Sequence, residues 1–337
     1  MTRRTLTIAS LLCTMLTISF GQLLPNLGGQ RAGISSLQFL KIGVGARGPA
    51  LGEAMVAVAD DPSCLYWNPA GLPLNRSNAV YVAHSEWFSG LKHDFAGAIY
   101  RVSADDILGL SLISLASDDM ERTTETNPTG TGTYFRYNDL AIGVSYGRQM
   151  TSQFSFGTTI RYVEENLDVV KIRAVLFDLG TYYSMGIGSL RFAAVVSNFG
   201  SDVAPTGDLT LIDGSKVDSY QSFSPPTSFK IGVAFEPYQD DNHRITSSVQ
   251  LNHPNDNAEN LRLGLEYAWN GWFFARAGVK RTIGESLFGA DRKSADDYSL
   301  GIGIFSSLGF TDASVDYSFT HFTELGGVHR ISMGFTY

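Results

Sequence analysis

Three patterns in the chain have residue types and spacings that can do chemistry. Gly43, Gly45 and Gly48 fall in the spacing of a dinucleotide-binding loop, in which glycines let backbone N–H groups close on a pyrophosphate. That fingerprint also needs a buried strand before it and an acidic residue about 20 positions further on. Here no convincing buried strand precedes the glycines, Asp60 and Asp61 come too soon, and no strand–helix–strand unit completes the motif. Gly43–Gly48 therefore reads as a tight turn. Gly143, Ser145 and Gly147 have the spacing of a nucleophile elbow, but they sit inside an alternating stretch with no helix after it, whereas an elbow serine needs a sharp strand-to-helix turn. The third pattern is metal-ligand chemistry. His84, His93, His243, His253, His321 and His329 show no close ligand spacing. Asp118, Asp119 and Glu121, like Asp240 and Asp241, are types that attract Ca²⁺, yet read more simply as acidic surface turns. No catalytic, cofactor-binding or metal-binding residues are assigned, and the chain is not read as an enzyme.

The composition points elsewhere. Of 337 residues 44% are apolar, 12% aromatic and only 17% charged, and 35 are glycine. Such a chain is too aromatic for disorder. It has no long uncharged apolar run beyond its N-terminus, so membrane helices are excluded. A net charge of −8 gives no basic face for nucleic acid. Low charge with many glycines and aromatics is odd for a soluble enzyme.

Strict period-two alternation recurs from about residue 79 onward. Leu140, Ile142, Val144 and Tyr146 alternate with Ala141, Gly143 and Ser145; Phe229, Ile231, Val233 and Phe235 with Lys230, Gly232, Ala234 and Glu236; Leu261, Leu263, Leu265 and Tyr267 with Arg262, Gly264 and Glu266. The last residues, Ile331, Met333, Phe335 and Tyr337, alternate with Ser332, Gly334 and Thr336. One face is greasy and aromatic; the other mixes Gly and Ser with isolated charges of both signs, as in a membrane barrel with a polar lumen. About fourteen strands are expected: 79–88, 92–102, 107–116, 134–147, 153–164, 169–184, 188–199, 226–237, 242–253, 258–269, 272–281, 296–306, 312–320 and 328–337. The three long connections, 117–133, 200–225 and 282–295, all follow odd-numbered strands and emerge on one side, while the turns after even-numbered strands are short. A rim of long loops opposite a rim of tight turns is the outer-membrane arrangement; a Greek-key sandwich has no reason to sort loops by parity. The fold class is all-β: an antiparallel transmembrane β-barrel of about 14 strands over 79–337.

Residues 1–21 read as a secretory signal peptide, with Arg3 and Arg4 before an uncharged stretch from Thr5 to Phe20. Cys13 leaves with it, so Cys64 has no disulfide partner and is expected to be a buried structural thiol. Residues 22–78 do not alternate. They hold an amphipathic stretch from Ser35 to Ile42, the glycine turn, and an expected short helix from Pro49 to Ala59 that Asp60-Asp61-Pro62 ends. This segment is too short for an independent domain and too apolar for a free tail, so it is placed inside the barrel as a hatch or plug.

The stretch LQFLKIGVGARGPALGEAMVAVADDPSCLYWNPAGL resembles the N-terminal signature of the PorV/PorQ family, relatives of the FadL long-chain fatty-acid transporters. The resemblance implies a fourteen-stranded barrel in the outer membrane of a Gram-negative bacterium, with Trp67, Asn68, Pro69, Ala70 and Gly71 as the hatch motif. It further implies work in type IX secretion, as a shuttle or scaffold that binds the C-terminal domains of secreted cargo. The partners implied are outer-membrane lipid, that cargo and other secretion-system subunits. Tyr134, Phe135, Tyr220 and Phe223, near the ends of the two longest loops, suit protein recognition and equally an interfacial aromatic girdle. The alternative is FadL-like uptake of a hydrophobic small molecule, with Phe199, Phe274 and Phe305 on the nominal lumen register as pocket residues.

Overall fold

Successive side chains of a strand point to opposite faces, so each alternating run must present one apolar face and one polar or small one. In the computed structural model these runs form β1 (Ala79–Glu86), β2 (Lys92–Arg101), β3 (Asp106–Ala116), β4 (Met120–Glu121), β5 (Tyr134–Phe135), β6 (Tyr137–Gln149), β7 (Phe154–Leu167) and β8 (Val170–Ser184). They continue as β9 (Arg191–Phe199), β10 (Ser228–Gln239), β11 (His243–Pro254), β12 (Asn260–Trp269), β13 (Phe273–Thr282), β14 (Asp296–Ser307), β15 (Asp312–Phe322) and β16 (Gly326–Thr336). The structure describes residues 33–208, 215–217, 219–283, 296–309 and 311–337. The expected signal peptide, the first part of the hatch segment and most of the third long connection lie outside the described residues.

All strands except the short pair β4–β5 form one closed antiparallel barrel of fourteen. Closure sets β1 against β16, with Ala79 opposite Thr336 and Glu86 opposite His329. A closed ladder leaves no edge whose backbone groups would be stranded in lipid. The faces sort as the alternation requires. In β6, Ile142 and Val144 are 45% and 54% exposed on the outside, whereas Asp139, Ala141 and Ser145 are buried within. Turns of three to six residues close one rim, while the connections after β3, β9 and β13 rise from the other.

Three local expectations need correction. Tyr134 and Phe135 do not begin a wall strand: Glu121 and Met120 pair with them in a separate two-stranded ribbon above the rim, and β6 joins β3 only from Asn138, opposite Ala116. The helix expected over 49–59 is a single turn, Arg47–Ala50. It stops because Gly52 (φ 60°) and Glu53 (φ 63°) are left-handed, and a Cβ on Gly52 would press into the backbone of Val279 at 2.7 Å. Finally, Phe199, Phe274 and Phe305 share no pocket. Asn198 is left-handed (φ 56°), at the register shift between β8 and β9, and Phe199 emerges outside, 60% exposed at the long-loop rim. Phe274 and Phe305 belong to the opposite end of the barrel, beside the 270–272 and 308–311 turns.

Candidate functional site: the stoppered lumen and the long-loop rim

The apolar core of this molecule lies inside the barrel, where the segment from Leu37 to Leu72 packs against inward-facing wall residues such as Tyr81, Phe95, Ile113 and Leu176; Leu37, Val44, Met55, Leu65, Trp67 and Leu72 are essentially solvent-free. The chain is held there by short turns. The helical turn Cys64–Trp67 gives way at Asn68, whose extended backbone opens a 3₁₀ turn from Pro69 to Leu74. Pro69 suits the first helical position, because its missing N–H would have no partner there.

Asn68 ties three pieces together. Its Oδ1 accepts from the Ala70 N–H at 3.0 Å, and its Nδ2 donates to the carbonyls of Val56 (2.8 Å) and Thr181 (3.3 Å). Two of these contacts are inside the hatch and the third is on β8 of the wall. Ser155 Oγ of β7 donates to the Ala70 carbonyl at 2.7 Å. Beside these contacts the wall is bare backbone. A Cβ on Gly157 would overlap Pro69 and Ala70, one on Gly180 would overlap the Asn68 amide, and one on Gly147 would meet Leu72 Cβ at 2.7 Å. The inward-facing glycines are thus the counter-shape of the hatch. The dinucleotide-like glycines serve the same fit: Gly43 and Gly48 lie against the Trp67 ring, and Gly45 (φ 75°) leaves room for the Tyr81 hydroxyl. Gly71 approaches the Ala59 carbonyl too closely for any Cβ.

Several charges that strand alternation turns inward are paired inside the barrel. Arg47 of the hatch pairs with Glu266 at 2.9 Å and with Asp60 and Asp61 at 2.5 and 2.8 Å. Glu266 also meets Arg276 at 2.7 Å, and Arg276 meets Asp316 at 2.5 Å. One line of alternating charge therefore runs from the hatch across β12, β13 and β15. Arg161 and Asp178 pair separately at 2.8 Å. Ion pairs this deep are weak evidence for net stability, but losing one partner leaves a charge stranded.

Ser145 is buried in β6 and shares a hydrogen bond with Thr159 at 2.7 Å. Burial pushes the Cys64 thiol well above its ordinary range, where it is a poor nucleophile. Asp118 and Asp119 pair with Lys92 and Arg136, both at 2.9 Å. Asp240 accepts from Tyr238 and from the amides of Asn242 and His243. Among the described residues no group of three or more His, Cys, Asp or Glu side chains is arranged for a metal. Tyr134 is 61% exposed on the ribbon, and Phe135 lies under the Arg122 guanidinium at 5.6 Å. Tyr220 donates to the Gly207 carbonyl at 3.0 Å, and Phe223 is bridged to Val203. The long-loop residues are therefore split between the ribbon and the 200–227 connection. The partners of the inward charges, Arg47 with Glu266 above all, were not legible in the sequence; alternation marked the strand members, but nothing in the spacing joins a hatch arginine to a strand over 200 residues away.

A closed barrel with an apolar outer belt, a polar lumen and its own leading segment folded inside defines an outer-membrane β-barrel with a hatch. The fold is shared with solved structures of low sequence identity. The Pseudomonas putida toluene transporter TodX is 12% identical, with a TM-score of 0.56 over 91% of this chain and 99% of its own. The Ralstonia pickettii toluene transporter TbuX is 12% identical, with a TM-score of 0.55 over 87% and 97%. A Pseudomonas aeruginosa FadL homologue is 13% identical, with a TM-score of 0.50 over 87% and 98%. No protein of curated function matches the sequence. The family described as Type IX secretion system protein PorV matches residues 27–254. The chain belongs to that family, an outer-membrane protein of type IX secretion in a Gram-negative bacterium, and its long-loop rim is the outer one.

Proposed function

We propose that this chain is a docking scaffold and shuttle, which holds exported proteins at its outer rim through their C-terminal domains and passes them between other subunits of the secretion system. The single observation that carries this reading is the family match over residues 27–254. The stoppered lumen supports it: a barrel filled by its own hatch is no conduit for another polypeptide, so work on cargo belongs to the rim. There the β4–β5 ribbon offers Tyr134, and the 200–227 connection offers Tyr220 and Phe223, with Phe135 behind Arg122. Aromatic rings among small polar residues are the composition of protein-recognition surfaces. The hatch motif Trp67–Gly71 is assigned a structural part, keeping the lumen shut while the rim works.

The test is affinity capture of the tagged chain from detergent-solubilised membranes. Secreted proteins with a shared C-terminal domain should co-purify, and Tyr134→Ala with Tyr220→Ala should reduce their yield while leaving the barrel folded. Uptake of a hydrophobic molecule is the second reading, favoured by the fold shared with the toluene transporters. It takes over if capture brings down no such proteins and deletion instead abolishes growth on a hydrophobic carbon source.

A further inference from the structure

Beneath the outer rim, between the hatch and β10–β13, lies a cavity of about 230 Å³. Its floor is hatch, with Glu53, Tyr66 and Trp67, and its wall carries Lys230, Arg262 and Lys280. Lys41 and Lys280, at 34% and 26% side-chain exposure, mark its mouth; Lys230 and Arg262, at 8% and 7%, lie deep. Most of these charges are already answered. Lys41 pairs with Asp256 at 3.0 Å. Arg262 pairs with Glu53 at 2.8 Å and donates through Nε to Asn260 Oδ1 at 2.9 Å. Among the described residues Glu53 is the only carboxylate lining the cavity, and it also lies 3.9 Å from Lys280.

Lys230 is different. Among the described residues its ammonium has no hydrogen-bond acceptor and no ion-pair partner; it lies 5.9 Å from the centroid of the Tyr66 ring. An ammonium buried without an acceptor is costly, and this one faces a polar space lined by Asn198, Asn252, Asn257 and Asn260. Sites that engulf whole small molecules run from roughly 300 to 1,000 Å³, so this cavity takes the end of something longer. One deep, open cation among amide groups matches a monoanion.

We propose that this cavity binds a terminal carboxylate, offered by a molecule that enters from the outer face and leaves its remainder at the rim, with Lys230 as the ion-pairing residue. The two sources of that group are the free C-terminus of a polypeptide and an acyl chain. The assignment stands apart from the secretion role and does not depend on it.

The test is titration calorimetry on the full chain in lipid nanodiscs. Two probe pairs are used: a hexapeptide with a free C-terminus against its C-terminal amide, and hexanoate against hexanamide. In at least one pair the acid should bind tenfold or more tighter than the amide, and the pair that does so identifies the source. Lys230→Gln should abolish the preference, and Lys230→Arg should keep it. Equal binding of acid and amide in both pairs, or no binding of any probe, overturns the proposal. So does an unchanged acid preference in a folded Lys230→Gln barrel. The acid–amide comparison on the unaltered chain remains decisive if Lys230→Gln does not fold.

Discussion

Asn68→Ala is the perturbation that most directly probes how the hatch is held. The side chain is fully buried and serves the Ala70 N–H, the Val56 carbonyl and the Thr181 carbonyl together. Truncation leaves the buried Ala70 donor and Val56 acceptor without that partner. At about 1–3 kcal/mol for each stranded group, and with some relaxation, the hatch should lose ~2–4 kcal/mol of docking energy. Since about 1.4 kcal/mol is a factor of ten, the undocked population should rise roughly 30- to 700-fold. Cys64 makes this measurable. It is solvent-free inside the hatch, and in a Cys13→Ser background it is the chain's single thiol. When reclosing outpaces labelling, the rate of maleimide modification follows the open population. Native chain should label very slowly and Asn68→Ala faster by the stated factor, with the barrel intact by circular dichroism. A change of less than about threefold would mean that these contacts do not hold the hatch, and the energies inferred from them would be wrong.

Other outcomes follow from the same geometry. Gly157→Val drives a side chain into the Pro69–Ala70 backbone; overpacking of about 1–3 kcal/mol should again speed Cys64 labelling while the wall stays closed. Ile142→Arg puts a charge on the outward belt and should cost ~2–4 kcal/mol if the residue meets the bilayer midplane, read as a lower urea midpoint for the barrel in lipid vesicles. In the outer 255–259 connection, burial pushes the Asp256 carboxyl up, but hydrogen bonds from Ser35, Gln38 and Lys41 hold it below its ordinary value. A carboxylate whose folded pKa is depressed stabilises above its unfolded value of about 4 and loses that contribution as pH falls through the lower, folded one. Hydrogen exchange over residues 35–41 should therefore show protection that fades in acid, and Asp256→Asn should have weaker protection at neutral pH with little further acid dependence.

Alternation made the barrel legible, because a two-faced wall between lipid and water leaves the same period-two trace in every strand. β6 is the plain case: the residues that read as greasy are outside and those that read as small or polar are inside. Loop parity was legible for a similar reason, since a meander fixes the rim each connection leaves from. The failures are equally specific. Asn198 adopts a left-handed conformation that no period reveals, and Phe199 leaves the lumen with it. Tyr134 and Phe135 adjoin the β6 run in sequence, but polar Arg136 and Asn138 interrupt its greasy register and the two aromatics pair with Met120 and Glu121 instead. The Pro49–Ala59 helix failed because the close approach of Gly52 to β13 overrode local helix preference. In the hatch, Gly43 and Gly45 lie in irregular chain and Gly48 in the helical turn Arg47–Ala50 rather than in one tight turn, and what they make room for, Trp67 and Tyr81, is a tertiary fact. The Lys230 cavity was visible only as one inward lysine, since its missing acceptor exists only once hatch and wall are together.

Quantitative proteomics of growth medium and periplasm from a strain lacking this chain, beside the same strain complemented, tests the proposed shuttle role itself. Proteins with the shared C-terminal domain should vanish from the surface and medium, accumulate in the periplasm, and be restored by the native chain. Unchanged delivery of those proteins in the deletion strain would contradict that role.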